Sequence, residues 1–256
     1  MPAIALRGMT VLPSMIVHFD ISRPKSVKAL ETAMMADQKI YLITQQNPDV
    51  AEPGFGDLYR VGTVAVIKNL AKLPKDIIRV MVEGLERAEL VDLDEDGGYL
   101  KAEVAVYPRR DQAAIREVDA VAMTRALRDI FAAYCAENPK VGKELTRQIL
   151  EIHDLEKLVD QIAINLPLYY EDKQRILEAV DLGSRYETVC EIIGNELEIM
   201  RIKNDIQKRV KERIDKNQKE YILREQMKVI QEELGDSSPL TDADHYRQQL
   251  KEITAS

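Results

Sequence analysis

The sequence predicts an α+β chain: a mostly antiparallel β-rich lobe in front, a bundle of short helices behind it, then one long projecting helix. Three observations carry the prediction. Residues 1–108 hold seven of the ten prolines and seven of the eleven glycines, so turn chemistry crowds the front and leaves the back free for helix. Apolar residues alternate with period two in the front half and recur every three to four residues in the back half. From Ser184 to Leu234 there is no proline and one glycine, Gly194, which allows an unbroken helix of about 75 Å.

In the front half, "SVKALETAMMAD" (26–37) sets Val27, Leu30 and Met34 on one helix face, with Pro24 near its start. "YRVGTVAVIKNL" and "IIRVMVEGLERAEL" are strands joined by "LPKD" (73–76), where Pro74 presets the turn. Gly84 falls where the alternation of the second strand loses phase, which predicts a bulge or bend. "DGG" (96–98) supplies the positive φ angles of a tight hairpin. After it, "YLKAEVAVY" (99–107) turns Leu100, Ala102, Val104 and Val106 inward and Lys101 and Glu103 outward. Several long, bent strands with one helix make a small curled sheet or partly open barrel.

The back half divides into helices. Met123, Leu127, Ile130, Phe131 and Tyr134 form one stripe, which stops at Asn138-Pro139; Val141, Leu145, Ile149 and Ile152 form the next. Asp154 is placed to cap a third, with Leu155, Leu158, Val159 and Ile162 inward and Pro167 beyond its end. Ile176, Leu177 and Val180 mark a short fourth, and the four are expected to pack as a bundle. Ser184 is the expected cap of the long helix, whose first turns lie on the bundle through Val189, Ile193 and Leu197. Between Gln207 and Glu220 the only aliphatic residues are Val210 and Ile214, too few for a core or a two-stranded seam. Ion pairs one turn apart support that stretch: Asp205–Arg209, Glu212–Lys216, Asp215–Lys219 and Glu220–Arg224. Apolar residues then return before Gly235 ends the run.

A net charge of −8 argues against polyanion binding by the chain as a whole. Cys135 and Cys190 lie far apart in helical segments and suit reduced thiols. Arg7, Pro13, His18 and Asp20 interrupt the apolar N-terminal stretch, so neither a signal peptide nor a membrane span is expected, and the compartment is cytoplasm. Catalytic motifs are missing. "VGKEL" (141–145) lacks the earlier glycine and the Ser/Thr of a phosphate loop, and "GFG" (54–56) opens no helix. No G-x-S-x-G occurs; His18, His153 and His245 are isolated, and neither cysteine belongs to a C-x-x-C. Adjacent residues on a helix point about 100° apart, so His153 and Asp154 make a surface residue and a cap rather than a catalytic pair. No catalytic or metal-binding residue is nominated, and no cofactor is expected in this chain.

Four stretches, "DLYRVGTVAVI" (57–67), "VMVEGLERAEL" (80–90), "DKQRILEAVDLGSRYE" (172–187) and "NQKEYILREQMKVIQEELG" (217–235), resemble the N-terminal region of bacterial ATP-dependent Lon proteases. The likeness runs in order from about Ile4 to at least Gly235, with "EGLER" and "KEYILREQMKVIQEELG" its most specific pieces. It implies a PUA-like β-rich substrate-recognition lobe (1–110), a helical lobe (111–183), a helical arm (184–235) and the start of a further helix (236–256). It also implies an AAA+ ATPase using ATP and Mg and a Ser–Lys peptidase, neither of which is encoded here. The chain is therefore expected to be a non-catalytic front end of a homohexameric serine protease that degrades misfolded and regulatory proteins.

The resemblance implies substrate capture and contact with the ring, and the residues for each are read from their physical character alone. Tyr221, Ile222, Leu223, Met227 and Ile230 are expected to touch the absent ATPase module or a neighbouring subunit; the alternative is that they pack on a folded-back helix carrying Tyr246, Leu250 and Ile253. Unfolded or misfolded substrates need exposed, adaptable apolar surface, for which the candidates are Leu12, Pro13, Met15, Met34 and Met35, against the alternative that these methionines are core. A competing reading is a nucleic-acid-binding PUA-like module. Residues 201–219 carry eight Lys/Arg against three Asp/Glu, and Lys208, Arg209, Lys211 and Arg213 would follow phosphates, though a solvated helix face explains the same charges. A third reading is a stand-alone scaffold protein.

Overall fold

Alternation makes the strands, and bulges in the longest of them decide how they close. The computed structural model describes residues 1–74, 77–94, 97–108, 115–138, 141–234, 246–247 and 250. Strands β1 (Pro2–Leu6), β2 (Ile16–Ile21), β3 (Lys39–Thr44), β4 (Val61–Leu73), β5 (Ile77–Asp94) and β6 (Leu100–Val106) form one sheet in the order β2-β5-β4-β3-β1-β6. Because β5 also pairs with β6, the five strands from β5 to β6 close into a barrel and β2 stays outside it. Only β1–β3 is parallel among these pairings.

Strand β5 serves three neighbours: Ile78–Glu83 meet β2, Ile77–Glu89 meet β4 and Ala88–Asp94 meet β6. Each register break bends it. Val64 faces Glu86 while Ala65 faces Gly84, so Leu85 is skipped, at the place where the sequence loses its alternation. A second break follows on β4 and a third between Leu90 and Asp92.

Opposite faces of β1 and β3 feed two cores. Ala3, Ala5, Tyr41 and Ile43 point into the barrel, while Ile4, Leu6, Ile40 and Leu42 pack outward under helix α1 (Pro24–Met35). The Tyr41 hydroxyl donates to the Ala88 carbonyl at 3.0 Å, and Gly62 leaves it room: a Cβ there would meet the Tyr41 ring at 2.7 Å. Helix α1 starts at Pro24 as expected, but its buried row is Ser26, Ala29, Leu30 and Ala33. Val27 is half-buried and Met34 faces solvent. Small side chains let this helix approach β1 and β3 closely, which rotates its buried stripe away from the bulkier residues. Gly98 takes the positive φ expected of the hairpin before β6; Asp96, Lys75 and Asp76 lie outside the described residues.

Helices α2 (Glu117–Glu137), α3 (Lys143–Leu150) and α4 (Leu155–Asn165) pack on one another and bury Leu127, Phe131, Tyr134, Leu158 and Ile162. Thr124 takes the buried place expected for Met123, and α3 is short enough to leave Val141 and Ile152 outside it. Asp154 caps α4, accepting the Lys157 N–H at 2.8 Å. Helix α5 (Tyr170–Glu178) departs from the expected four-helix bundle by packing on β4. There the buried Gln174 donates to the Val61 carbonyl at 2.8 Å, and the Thr10 hydroxyl donates to the Tyr170 carbonyl at 3.0 Å.

Helix α6 (Leu182–Glu233) starts two residues before Ser184. Its cap is Asp181, whose Oδ1 accepts the Ser184 N–H at 2.9 Å; the Ser184 side chain first, and then that backbone bond, hold the carboxyl below the ordinary aspartate range. Val189, Ile192 and Ile193 are buried, whereas every residue from Arg201 to Leu234 is exposed. Of the four expected ion pairs, Asp205–Arg209 closes, at 2.8 Å. The chain divides inside this helix into compact units Met1–Glu198 and Ile199–Ser256. Gly235, the expected stop, lies outside the described residues.

Candidate functional site

The segment entering β2 is built by one tight turn. The Met15 N–H donates to the Leu12 carbonyl at 3.1 Å, with Pro13 and Ser14 at the two central positions and Ser14 in the left-handed region at φ 63°. Two residues then oppose one: the Ser14 N–H donates to the Gly84 carbonyl at 2.8 Å, and the Gly84 N–H to the Met15 carbonyl at 2.9 Å. This presses the turn onto β5, and the Thr63 hydroxyl holds it further by donating to the Val11 carbonyl at 2.6 Å.

That packing corrects part of the expected apolar patch. Leu12 is 2% exposed and Pro13 is buried, so neither presents surface; Met15 is half-buried against the core under α1. An irregular stretch with proline reads as exposed loop, yet here the turn folds over glycine. Met34 and Met35, at 38% and 88% exposed, do present apolar surface at the end of α1. Ile16, 64% exposed on β2, adds apolar surface that no local sequence pattern marks, because nothing local shows that this strand is an edge.

The sequence also gives no sign of a cavity of about 220 Å³ beside the 3-10 turn Phe55–Asp57. Gln46, Phe55, Leu58, Tyr59, Arg60 and Leu90 line it, joining a loop to the far half of β5. Its walls combine two aromatic rings with one guanidinium and one amide.

A buried charge cluster ties the barrel to the helices within the first unit. Asp160 on α4 receives Arg185 at 3.1 Å and Arg87 of β5 at 3.5 Å, and Glu156 lies 3.7 Å from Arg185. Burial, then the charge of Arg185, lowers the pKa of Arg87, and its Nε has no hydrogen-bond partner. The ion pairs of the cluster hold α4 and the start of α6 against β5.

No constellation for covalent or acid–base chemistry forms among the described residues. The Asp154 carboxylate is engaged as a cap, and His153 stands at the surface 3.2 Å from Arg128. Cys135 and Cys190 are free thiols whose pKa values burial raises, and among the described residues no His/Cys/Asp/Glu group is arranged for a metal. No described helix is long and apolar enough to cross a membrane. In the second unit Tyr221, Ile222, Leu223, Met227 and Ile230 are each more than half exposed, and so are Tyr246 and Leu250. Ile253 lies outside the described residues. Lys208, Arg209, Lys211 and Arg213 are all exposed, but at about 100° per residue they spread around the helix instead of lining one side.

Comparison with known proteins places this architecture. A family model described as the ATP-dependent protease La (LON) substrate-binding domain matches residues 1–195. The Lon protease of Lachnoclostridium phytofermentans is 46% identical over 256 residues, all of this chain and 32% of that protein. Lon protease 1 of Bacillus subtilis is 41% identical over 94% of the chain and 31% of its own length. The chain thus spans about a third of the curated relatives it matches. Among solved structures, the N-terminal domain of Mycobacterium avium complex Lon protease superposes with TM-score 0.61 at 18% identity, covering 75% of this chain and 97% of that one. A Lon N-terminal domain protein from Xanthomonas campestris gives 0.52 at 13% identity, covering 74% and 95%. Barrel, helical layer and sequence agree, and the chain belongs to the ATP-dependent protease La (Lon) substrate-binding domain family.

Proposed function

We propose that this chain is the non-catalytic substrate-recognition and assembly region at the N-terminal end of an ATP-dependent serine protease. It takes hold of unfolded or misfolded polypeptide, while ATP and Mg serve an ATPase module outside these residues. The working division is a recognition lobe at 1–110, a helical lobe at 111–183 and an arm at 184–235 leading toward that module, with 236–256 following it. The observation that carries the reading is the match of 94–100% of the chain to about a third of the length of these Lon proteases. The exposed apolar residues of α6 support a further role, contact with the ATPase module or with neighbouring subunits of a homohexamer, in the cytoplasm.

Titrating the chain against fluorescein-labelled, reduced and carboxymethylated α-lactalbumin tests the reading. Saturable binding is expected, with no hydrolysis of ATP or peptide by the chain alone. A version ending at Glu198 should keep the binding and lose self-association. Absence of binding to the unfolded protein, or steeply salt-dependent binding to random DNA in its place, overturns the proposal.

A further inference from the structure

We infer that the outer edge of β2 receives an extended segment of polypeptide as an added strand. This rests on the substrate-binding reading and assigns it a place and a mode. Strand β2 pairs with β5 on one side, and among the described residues no strand pairs with its other side, whereas the barrel strands close on one another. The bulge at Ser14 and Met15 fixes which groups face outward. With Gly84 bonded to Met15, the paired positions continue as Val17, Phe19 and Ile21 opposite Val82, Val80 and Ile78. The N–H and C=O groups of Ile16, His18 and Asp20 therefore point to the open edge.

The core also runs out at this edge. Met15, Val17 and Phe19 face the core under α1, yet all three stay only partly buried, as do Leu70 and Ile78 near them. One more strand would cover that row with alternate side chains and satisfy the outward backbone groups. Edge strands are commonly protected by lysine, proline or an unpaired charge. Strand β2, "IVHFDI", has neither lysine nor proline, and its one carboxylate is engaged within the sheet, with Arg79 donating to Asp20 at 2.7 and 2.9 Å.

An unfolded polypeptide fits this edge better than a second copy of the chain. Backbone pairing reads no particular sequence, which suits clients that share only an extended backbone and apolar alternation. Two six-residue edges paired with each other fall short of the roughly 1,000 Å² of a stable interface. A weak, sequence-tolerant grip is adequate for a client held at several points.

The test uses the 256-residue chain and a fluorescein-labelled peptide of about a dozen alternating Val and Thr residues flanked by lysines. A second peptide carries N-methyl groups at successive residues through its centre, so that neither of its edges can pair. His18→Pro removes an outward N–H and places a ring where the added strand would sit, while His18→Ala keeps the edge. Expected are weakening of about tenfold by N-methylation and by His18→Pro, change within about twofold for His18→Ala, and slowed amide exchange at Ile16, His18 and Asp20 on binding. Should His18→Pro melt below the parent chain, the N-methylated peptide and the exchange measurement on the unaltered chain still decide. Equal affinity for both peptides, no slowing of exchange, or no peptide binding overturns the inference. So does self-association that His18→Pro abolishes while peptide affinity is unchanged. If carboxymethylated α-lactalbumin binds but N-methylation and His18→Pro change nothing, the edge is excluded and the substrate-binding reading stands. If that protein does not bind either, both fail.

Discussion

Gly84 and Leu12 approach so closely that a β-carbon on residue 84 would lie 2.3 Å from the Leu12 carbonyl oxygen. Glycine is required here for space, since its φ is not in the left-handed region. The contact seats the Leu12–Met15 turn on β5 and sets the register of β2.

Gly84→Ala should therefore destabilise the first unit by about 2–3 kcal/mol, because backbone and not a flexible side chain must move. Urea denaturation followed by circular dichroism measures it. A loss under about 0.5 kcal/mol would mean that the turn shifts freely and does not anchor β2.

Ser14 carries a strained conformation in the same turn. Its φ of 63° suits glycine at the third position, where a β-carbon costs about 1 kcal/mol. Ser14→Gly should raise stability by up to about 1 kcal/mol and Ser14→Val should lower it. If Ser14→Gly is clearly destabilising in the same denaturation measurement, the hydroxyl has a role beyond the turn.

Asp160 is the carboxylate that Arg87 and Arg185 share. Asp160→Asn leaves two arginines facing each other with Glu156 as the remaining counter-charge, and should cost about 3 kcal/mol. Replacing both Asp160 and Arg87 by apolar residues of similar volume should recover much of that loss, since the desolvation penalty goes with the charges. A double variant no better than Asp160→Asn in thermal melts would show that the cluster's value lies in its geometry.

The Asp181 cap makes stability pH-dependent. Its pKa is lowered from 3.8 in the folded chain, so its contribution is fully present above the ordinary aspartate range and is lost as pH falls through the lowered folded value. Asp181→Ala should cost about 1 kcal/mol at neutral pH. The difference from the parent chain should shrink as pH falls below the ordinary aspartate range in denaturant titrations; a difference constant from neutral to acid would rule out the cap as its source.

Much of the fold was legible because local rules acted alone. Pro24 opens α1, Asp154 caps α4, Gly98 turns the last hairpin, and Leu127, Phe131 and Tyr134 of α2 and the apolar row of α4 are buried as their spacing requires. Elsewhere a partner distant in sequence overrode the pattern. Alanine rows took the buried face of α1 because β1 and β3 lie close beneath it. The cap of α6 is a local exception: Asp181 takes the place of Ser184 because a carboxylate one residue before the helix reaches the free N–H at N3.

The sequence by itself determined the division into turn-rich strands and proline-poor helices, the polar length of α6 and the family to which the chain belongs. Spacing, capping and composition act over a few residues and can be read along the chain. Only tertiary structure decided that β5 closes the barrel while β2 stays open, that Leu12 and Pro13 lie buried, and that Phe55 and Leu90 share a cavity. Those outcomes depend on bulge positions and on a glycine chosen for the backbone crossing it, contacts between residues tens of positions apart that no local pattern encodes.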